Sequence, residues 1–240
     1  MFDRSWRQLS LLLVLMVILQ DVVAQRSSVG LSRHGVAFTV GAIDHYYTGS
    51  VDIEQLLEYN GIGYGLSYIG PQLRAAGLYA QREGGGEFLD ISGLGWLMPS
   101  SLKKDTQKTT IGIPIGFLIA WRRVTGSDDI VPFNAQAIHL GAGGALIHHL
   151  NQHTRLDLKM IPLLGVTGTR DADSVGLSWA ADVDVFLTVL DVFSDVGLMI
   201  GYTFRYQTWN INGSRVFSEV VDEAYDYAGT VQTVTAGVRF

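Results

Sequence analysis

From residue 35 to residue 240 apolar side chains recur at every second position, in runs separated by short polar or glycine-bearing breaks. Val36, Phe38, Val40 and Ala42 alternate with Gly35, Ala37, Thr39 and Gly41. Ile62, Tyr64, Leu66 and Tyr68 alternate with Gly61, Gly63, Gly65 and Ser67. Ile111, Ile113, Ile115, Phe117, Ile119 and Trp121 stand opposite Thr110, Gly112, Gly116, Ala120 and Arg122. Ile138, Leu140, Ala142 and Leu146 oppose His139, Gly141, Gly143 and Ala145; Leu156, Leu158, Met160, Leu164 and Val166 oppose Arg155, Asp157, Lys159, Gly165 and Thr167. Trp179 to Val189 and Leu198 to Tyr206 form two further rows around a turn at Asp191 to Asp195, with Phe186 the exception to the alternation of the first. Val234, Ala236, Val238 and Phe240 close the series against Thr233, Thr235, Gly237 and Arg239. Period two is the signature of strands with one apolar face. Val183 to Tyr202 is the nearest approach to a membrane helix, and Asp184, Asp191 and Asp195 interrupt it.

The rows predict about ten strands of roughly 10 to 16 residues, or eight if the weaker pattern at 72–99 is not two strands around Gly84-Gly85-Gly86. Connections alternate in length. Gly70-Pro71, Leu150 to His153 and Leu190 to Ser194 are short, while 47–58, 123–133 and 209–228 are long. Ser100 to Gln107 is long for the short side and Gly84 to Gly86 short for the long side. The face opposite each apolar row carries Gly, Ala, Ser and Thr rather than the Lys and Glu of a water-facing surface. Small residues suit the crowded interior of a narrow barrel. Tyr46, Tyr47, Tyr59, Trp121, Trp179, Tyr206, Trp209 and Phe240 fall near row ends, where a membrane interface places aromatics. The expected fold is all-β, a transmembrane antiparallel up-and-down barrel. The alternatives are a secreted soluble β-sandwich binding module and an enzyme built on the barrel rim.

Composition agrees with that expectation. Hydrophobic residues make up 48% and charged residues 17% of the 240, yet mean hydropathy is only +0.22, as alternation requires. A net charge of −6 argues against nucleic acid as a partner. There is no Cys, hence no disulfide and no thiolate metal site. Met1 to Arg7 carries Arg4 and Arg7, Leu9 to Leu19 is apolar, and Val22-Val23-Ala24 precedes a cut. Residues 1–24 are therefore expected to be a signal peptide and 25–240 a single barrel domain. The apolar stretch is short of the roughly 20 residues a spanning helix needs.

With that leader, alternation throughout and the terminal strand Thr233-Val234-Thr235-Ala236-Gly237-Val238-Arg239-Phe240, the chain resembles the small outer-membrane β-barrel (porin-like) proteins of the Gram-negative envelope. The resemblance implies a bacterial outer-membrane location, contact with outer-membrane lipid, and recognition by the barrel-assembly machinery through the strand ending in Phe240.

The interior charges are the candidate site. Arg155, Asp157 and Lys159 share one inward row, Asp182 and Asp184 the next, and Arg205 a third, which places Lys159 across from Asp184 and Arg205 diagonal to Asp182. Opposite charges on adjacent strands favour pairing, so the expectation is a salt-bridged, largely plugged lumen. His148, His149 and His153 sit at one turn with no acid or Cys among them, and Asp128-Asp129 and Asp171 with Asp173 lie on expected outer loops. A rim hydrolase would have to use His45 with those loop aspartates, and no His and Ser pair at an outer strand end. The Gly-x-Gly runs are strand positions without a following helix. The expected role is non-enzymatic, structural or adhesive or a narrow pore, with no catalytic residue, metal or cofactor.

Overall fold

The computed structural model describes residues 34–49, 57–81, 85–126, 133–169, 175–212 and 224–240. The signal peptide expected at 1–24, Gly84, and the loop residues Asp128, Asp129, Asp171 and Asp173 lie outside them. The strands are β1 (Gly35–Tyr47), β2 (Tyr59–Ile69), β3 (Leu73–Gln81), β4 (Glu87–Leu97), β5 (Lys103–Asp105), β6 (Thr109–Gly112), β7 (Ile115–Val124), β8 (Phe133–Ala142), β9 (Gly144–His149), β10 (Thr154–Thr169), β11 (Val175–Phe193), β12 (Val196–Asn212) and β13 (Ala224–Arg239). One turn of 3₁₀ helix, Ser100–Leu102, precedes β5.

Ten of these close a ring. The order β10-β11-β12-β13-β1-β2-β3-β4-β7-β8 returns to β10, every pairing antiparallel. A closed ring leaves no sheet edge, the condition for strands to cross lipid. It also excludes the two-sheet sandwich. The weak region at 72–99 is two strands, so the ring holds ten and not eight.

Alternation lands as expected, oil side out. Leu66, Leu164 and Leu177 are 67, 67 and 71% exposed, whereas Ala120, Arg122, His139 and Asp182 are 0% exposed. A water-soluble protein inverts that distribution. Phe186, the bulky exception, points inward because Gly201 faces it on β12: a Cβ at Gly201 would fall on the Phe186 ring.

Two expected strands are broken. Pro114 has no N–H for a ladder, and it divides 109–124 into β6 and β7; opposite it, Gly143 divides 133–149 into β8 and β9. Gly143 N–H donates to the Pro114 carbonyl (3.0 Å), holding the two breaks together. Below them β9, β6 and β5 continue from β10 as a flap. The segment Ser100 to Gln107, long for a turn, is thus partly a strand of this flap.

The short connections lie at one end. Gly70 N–H reaches the Leu73 carbonyl (2.7 Å) and Leu150 N–H the Thr154 carbonyl (2.9 Å). The turn expected at 191–195 shrinks to Ser194-Asp195, because β11 runs on to Phe193 past a register shift after Val189. Asp191 and Ser194 take positive φ there (56° and 55°).

Gly165, between β8 and β11, is one of the tightly constrained points of the wall. A Cβ there would collide with the Ile138 carbonyl oxygen of the neighbouring strand. Gly165→Ala is expected to cost more than ~2 kcal/mol, read as a lower urea midpoint for loss of the compact, heat-modifiable gel band. On the flap tip, Thr110 Oγ1 donates to Asp105 (2.5 Å) and Lys103 lies 2.9 Å away. The Thr110 hydrogen bond, then Lys103, holds the Asp105 carboxyl below its ordinary value. A depressed folded-state value means stabilisation that is present above the unfolded carboxylate range and lost as pH falls through the folded one. Thr110→Val should raise the Asp105 titration midpoint, measured by carboxyl-carbon NMR in detergent.

Candidate functional site

The lumen is filled at successive levels, and each level follows from which strand faces which. Around a ring of ten, β3 stands opposite β11 and β4 opposite β12. Long side chains therefore meet across the bore. Arg74, inward on β3, forks onto two carboxylates of β11: Nη2 lies 2.5 Å from Asp182 and Nη1 bonds Asp184. Its Nη1 also donates to Thr203 Oγ1 (3.0 Å), which donates in turn to Asp184 (3.1 Å). Lys159 completes this group, its Nζ 2.8 Å from Asp184 and 3.1 Å from the centre of the Trp96 ring.

A second group centres on Asp90, inward on β4. Arg205 from the opposite wall bonds one carboxylate oxygen, while Arg122 from the adjacent strand holds the other through Nε (2.9 Å) and Nη2 (2.8 Å). The Arg122 guanidinium lies 5.1 Å from the ring centres of both Phe88 and Trp209, and its Nη1 donates to His45 Nδ1 (3.3 Å). Above it the aromatic layer closes: His45 stacks on Tyr227 (4.9 Å, 9°) and packs on Phe133, which meets Trp209 edge-on. Towards the short-turn end Arg155 pairs with Asp157 (2.6 Å), Arg239 stands 3.7 Å from the same carboxylate, and Ala37, Ile69, Phe186 and Met199 fill the bore. Six cationic side chains (Arg74, Arg122, Arg155, Lys159, Arg205, Arg239) thus share the lumen with four carboxylates (Asp90, Asp157, Asp182, Asp184).

Of the six residues expected from sequence, Lys159 and Asp184 are direct register partners, and Arg155 and Asp157 pair with each other. Arg205 is directly opposite Asp182 rather than diagonal to it, yet its guanidinium goes to Asp90, because Arg74 occupies Asp182. Arg74 and Asp90 lay in the weakly patterned region, and Arg122 and Arg239 stood in inward rows without an evident partner. Their inward register was the available signal; the cross-bore contact was not in the pattern.

Other candidates separate. His148 bonds Thr109 (2.8 Å), and His153 sits 3.5 Å from Asp191, exposed. Among the described residues no three His, Asp or Glu gather as a metal site. His45 is buried in the aromatic layer rather than open at a rim. A His and Ser pair does exist, though not at a strand end: His139 Nε2 meets Ser178 Oγ at 2.6 Å inside the lumen. Gly165 lies between them on β10, and its missing side chain lets β8 and β11 touch. His139 Nδ1 has no partner among the described residues, so no acid orients the imidazole as a nucleophile's base requires.

No family model matches the chain, and no curated protein matches it by sequence. Solved structures similar in fold include the outer membrane protease OmpT of Escherichia coli (10% identity, 87% of this chain and 95% of that one, TM-score 0.42). The translocator domain of autotransporter NalP from Neisseria meningitidis is also similar (10%, 92% and 93%, TM-score 0.37), as is Neisserial surface protein A (14%, 85% and 95%, TM-score 0.32). Likenesses this distant pass no activity to the chain. The barrel rests on its own ring of pairings.

The Arg74 fork ties β3 to two acids on the opposite wall. Removing one partner of a buried ion group strands the others, at roughly 3–5 kcal/mol. Arg74→Met is expected to lower unfolding free energy by that amount, measured by tryptophan fluorescence during urea titration in micelles.

Proposed function

We propose that the chain is an integral barrel of the bacterial outer membrane whose role is structural or adhesive, with a lumen closed to solutes. The observation that carries this reading is the stack of occupied levels: the Arg155 group, the Arg74 group, the Asp90 group and the aromatic layer follow one another along the bore. A ten-stranded ring is narrow at the outset, since open aqueous channels take 16 or so strands. Cross-bore ion pairs leave it narrower still. The apolar outer rows on strands of nine or more residues fit an outer-membrane band about 25 Å tall. Short turns in such barrels face the periplasm, which directs the opposite strand ends, and with them the long connections, outward, where an adhesive surface would lie. His139 and Ser178 do not favour a hydrolase: both are buried within the wall, no carboxylate serves the imidazole, and an aromatic layer stands between them and the outer rim.

Single-channel recording in planar bilayers tests the closed lumen. The wild-type protein should give no discrete steps. A variant with Arg74→Ala, Arg122→Ala and Trp209→Ala, which removes the tie, the clamp and the layer, should give small ones. Regular conductance steps from the wild type would overturn the reading.

A further inference from the structure

The flap shapes the outer wall as well as the bore. Register aligns Lys104, Ile111, Leu146, Leu158 and Val185 as one row across five neighbouring strands, on the face that carries the exposed Met160. Gly144, Met160 and Val183 form the next row. An open cavity of about 740 Å³ follows these rows, walled by Leu102, Ile111, Ile113, Leu158, Met160 and Val183. That size is within the roughly 300–1,000 Å³ of small-molecule sites. Gly144 keeps it clear, since a Cβ there would meet nothing within 4 Å.

Lys104 stands at the mouth. It is exposed and has no ion-pair partner among the described residues, whereas Lys103 turns to the other face and bridges Asp105. His148 follows Leu146 on the same face of β9. Lys159 and Asp184, which also line the cavity, turn inward and pair with each other in the lumen. The outward side chains here are apolar for the length of a groove, with Lys104 at its end next to the short turns. That is the profile of an amphiphile with an anionic head.

We propose that this groove binds one anionic phospholipid of the periplasmic leaflet, its acyl chain along the apolar rows and its phosphate on Lys104. The site rests on the membrane reading above. Apolar rows accept any acyl chain, so selection falls to the head. A zwitterionic lipid brings its own cation to the phosphate and gains less from Lys104 than an anionic one.

Native mass spectrometry of the mature protein in detergent, supplied with equal phosphatidylglycerol and phosphatidylcholine of the same chains, measures the selection. Phosphatidylglycerol should be retained about fivefold over phosphatidylcholine, the gain of one basic contact near a membrane surface. Lys104→Gln should bring the two to parity with lipid still bound. Gly144→Leu, whose Cβ meets no neighbour and whose branches would enter the groove, should lose both. Gly77→Leu, equally free of neighbours on the outer face of β3, should change neither. Parity in the wild type, a preference that survives Lys104→Gln, or lipid undiminished in Gly144→Leu overturns the site. A protein that fails to float with vesicles of either lipid overturns the membrane reading instead.

Discussion

A strand in oil has no water for its backbone, so every N–H and C=O must be answered by a neighbouring strand. That demand closes the sheet, and closing a sheet of ten strands makes a bore too narrow for empty space. Both consequences are visible side chain by side chain. Inward positions are small where walls approach, as at Gly165, and large only where the facing residue yields, as Phe186 does over Gly201. Charges inside such a bore reach across it, because the opposite wall lies within the length of an arginine. Arg74 to β11 and Arg205 to β4 are the diameters of the ring.

The barrel was legible in the sequence because period two is a local property and repeats from β1 to β13. Within the lumen, only what neighbours decide was equally legible. Lys159 and Asp184 sit on adjacent strands in direct register, and a centred loop places them. Arg74 and Arg205 meet partners set by the number of strands between them, a global quantity, whereas Arg122 meets Asp90 in direct register on the adjacent strand. Moreover Ala75, Ala76, Gly77 and Gly93 dilute the alternation of β3 and β4, hiding the rows that carry Arg74 and Asp90. His139 and Ser178 were hidden for a related reason: their contact passes over a glycine on the strand between.

The flap shows how a clean pattern can mask a break. Ile111, Ile113 and Ile115 keep their period straight through Pro114, since the proline falls on the inward face and interrupts hydrogen bonds rather than hydropathy. Side-chain periodicity reports which way residues point. It does not report whether the backbone between them is paired. The ladder therefore parts at Pro114 and Gly143 while the apolar surface runs on, and the outer wall gains a groove.

The ion pairs raise a further question, because well-packed apolar residues often serve a buried site as well or better than charges do. A barrel in lipid answers it differently from a soluble core. Its outer face is already apolar, and a lumen of apolar residues would give each strand two similar faces. A slip of one residue exchanges the faces of a strand, and between two oily faces the slip would go almost unpunished. With Asp182 and Asp184 on β11, the same slip would turn two carboxylates into the hydrocarbon, where a misplaced charge is destabilising (about 2–4 kcal/mol for a cation at the midplane, less for a carboxylate), and strand Arg74 in the bore without them. The network thus fixes register as much as it fills space. Its diametric form extends that control to the whole ring, since β3 and β11 must each be in register for Arg74 to reach both acids.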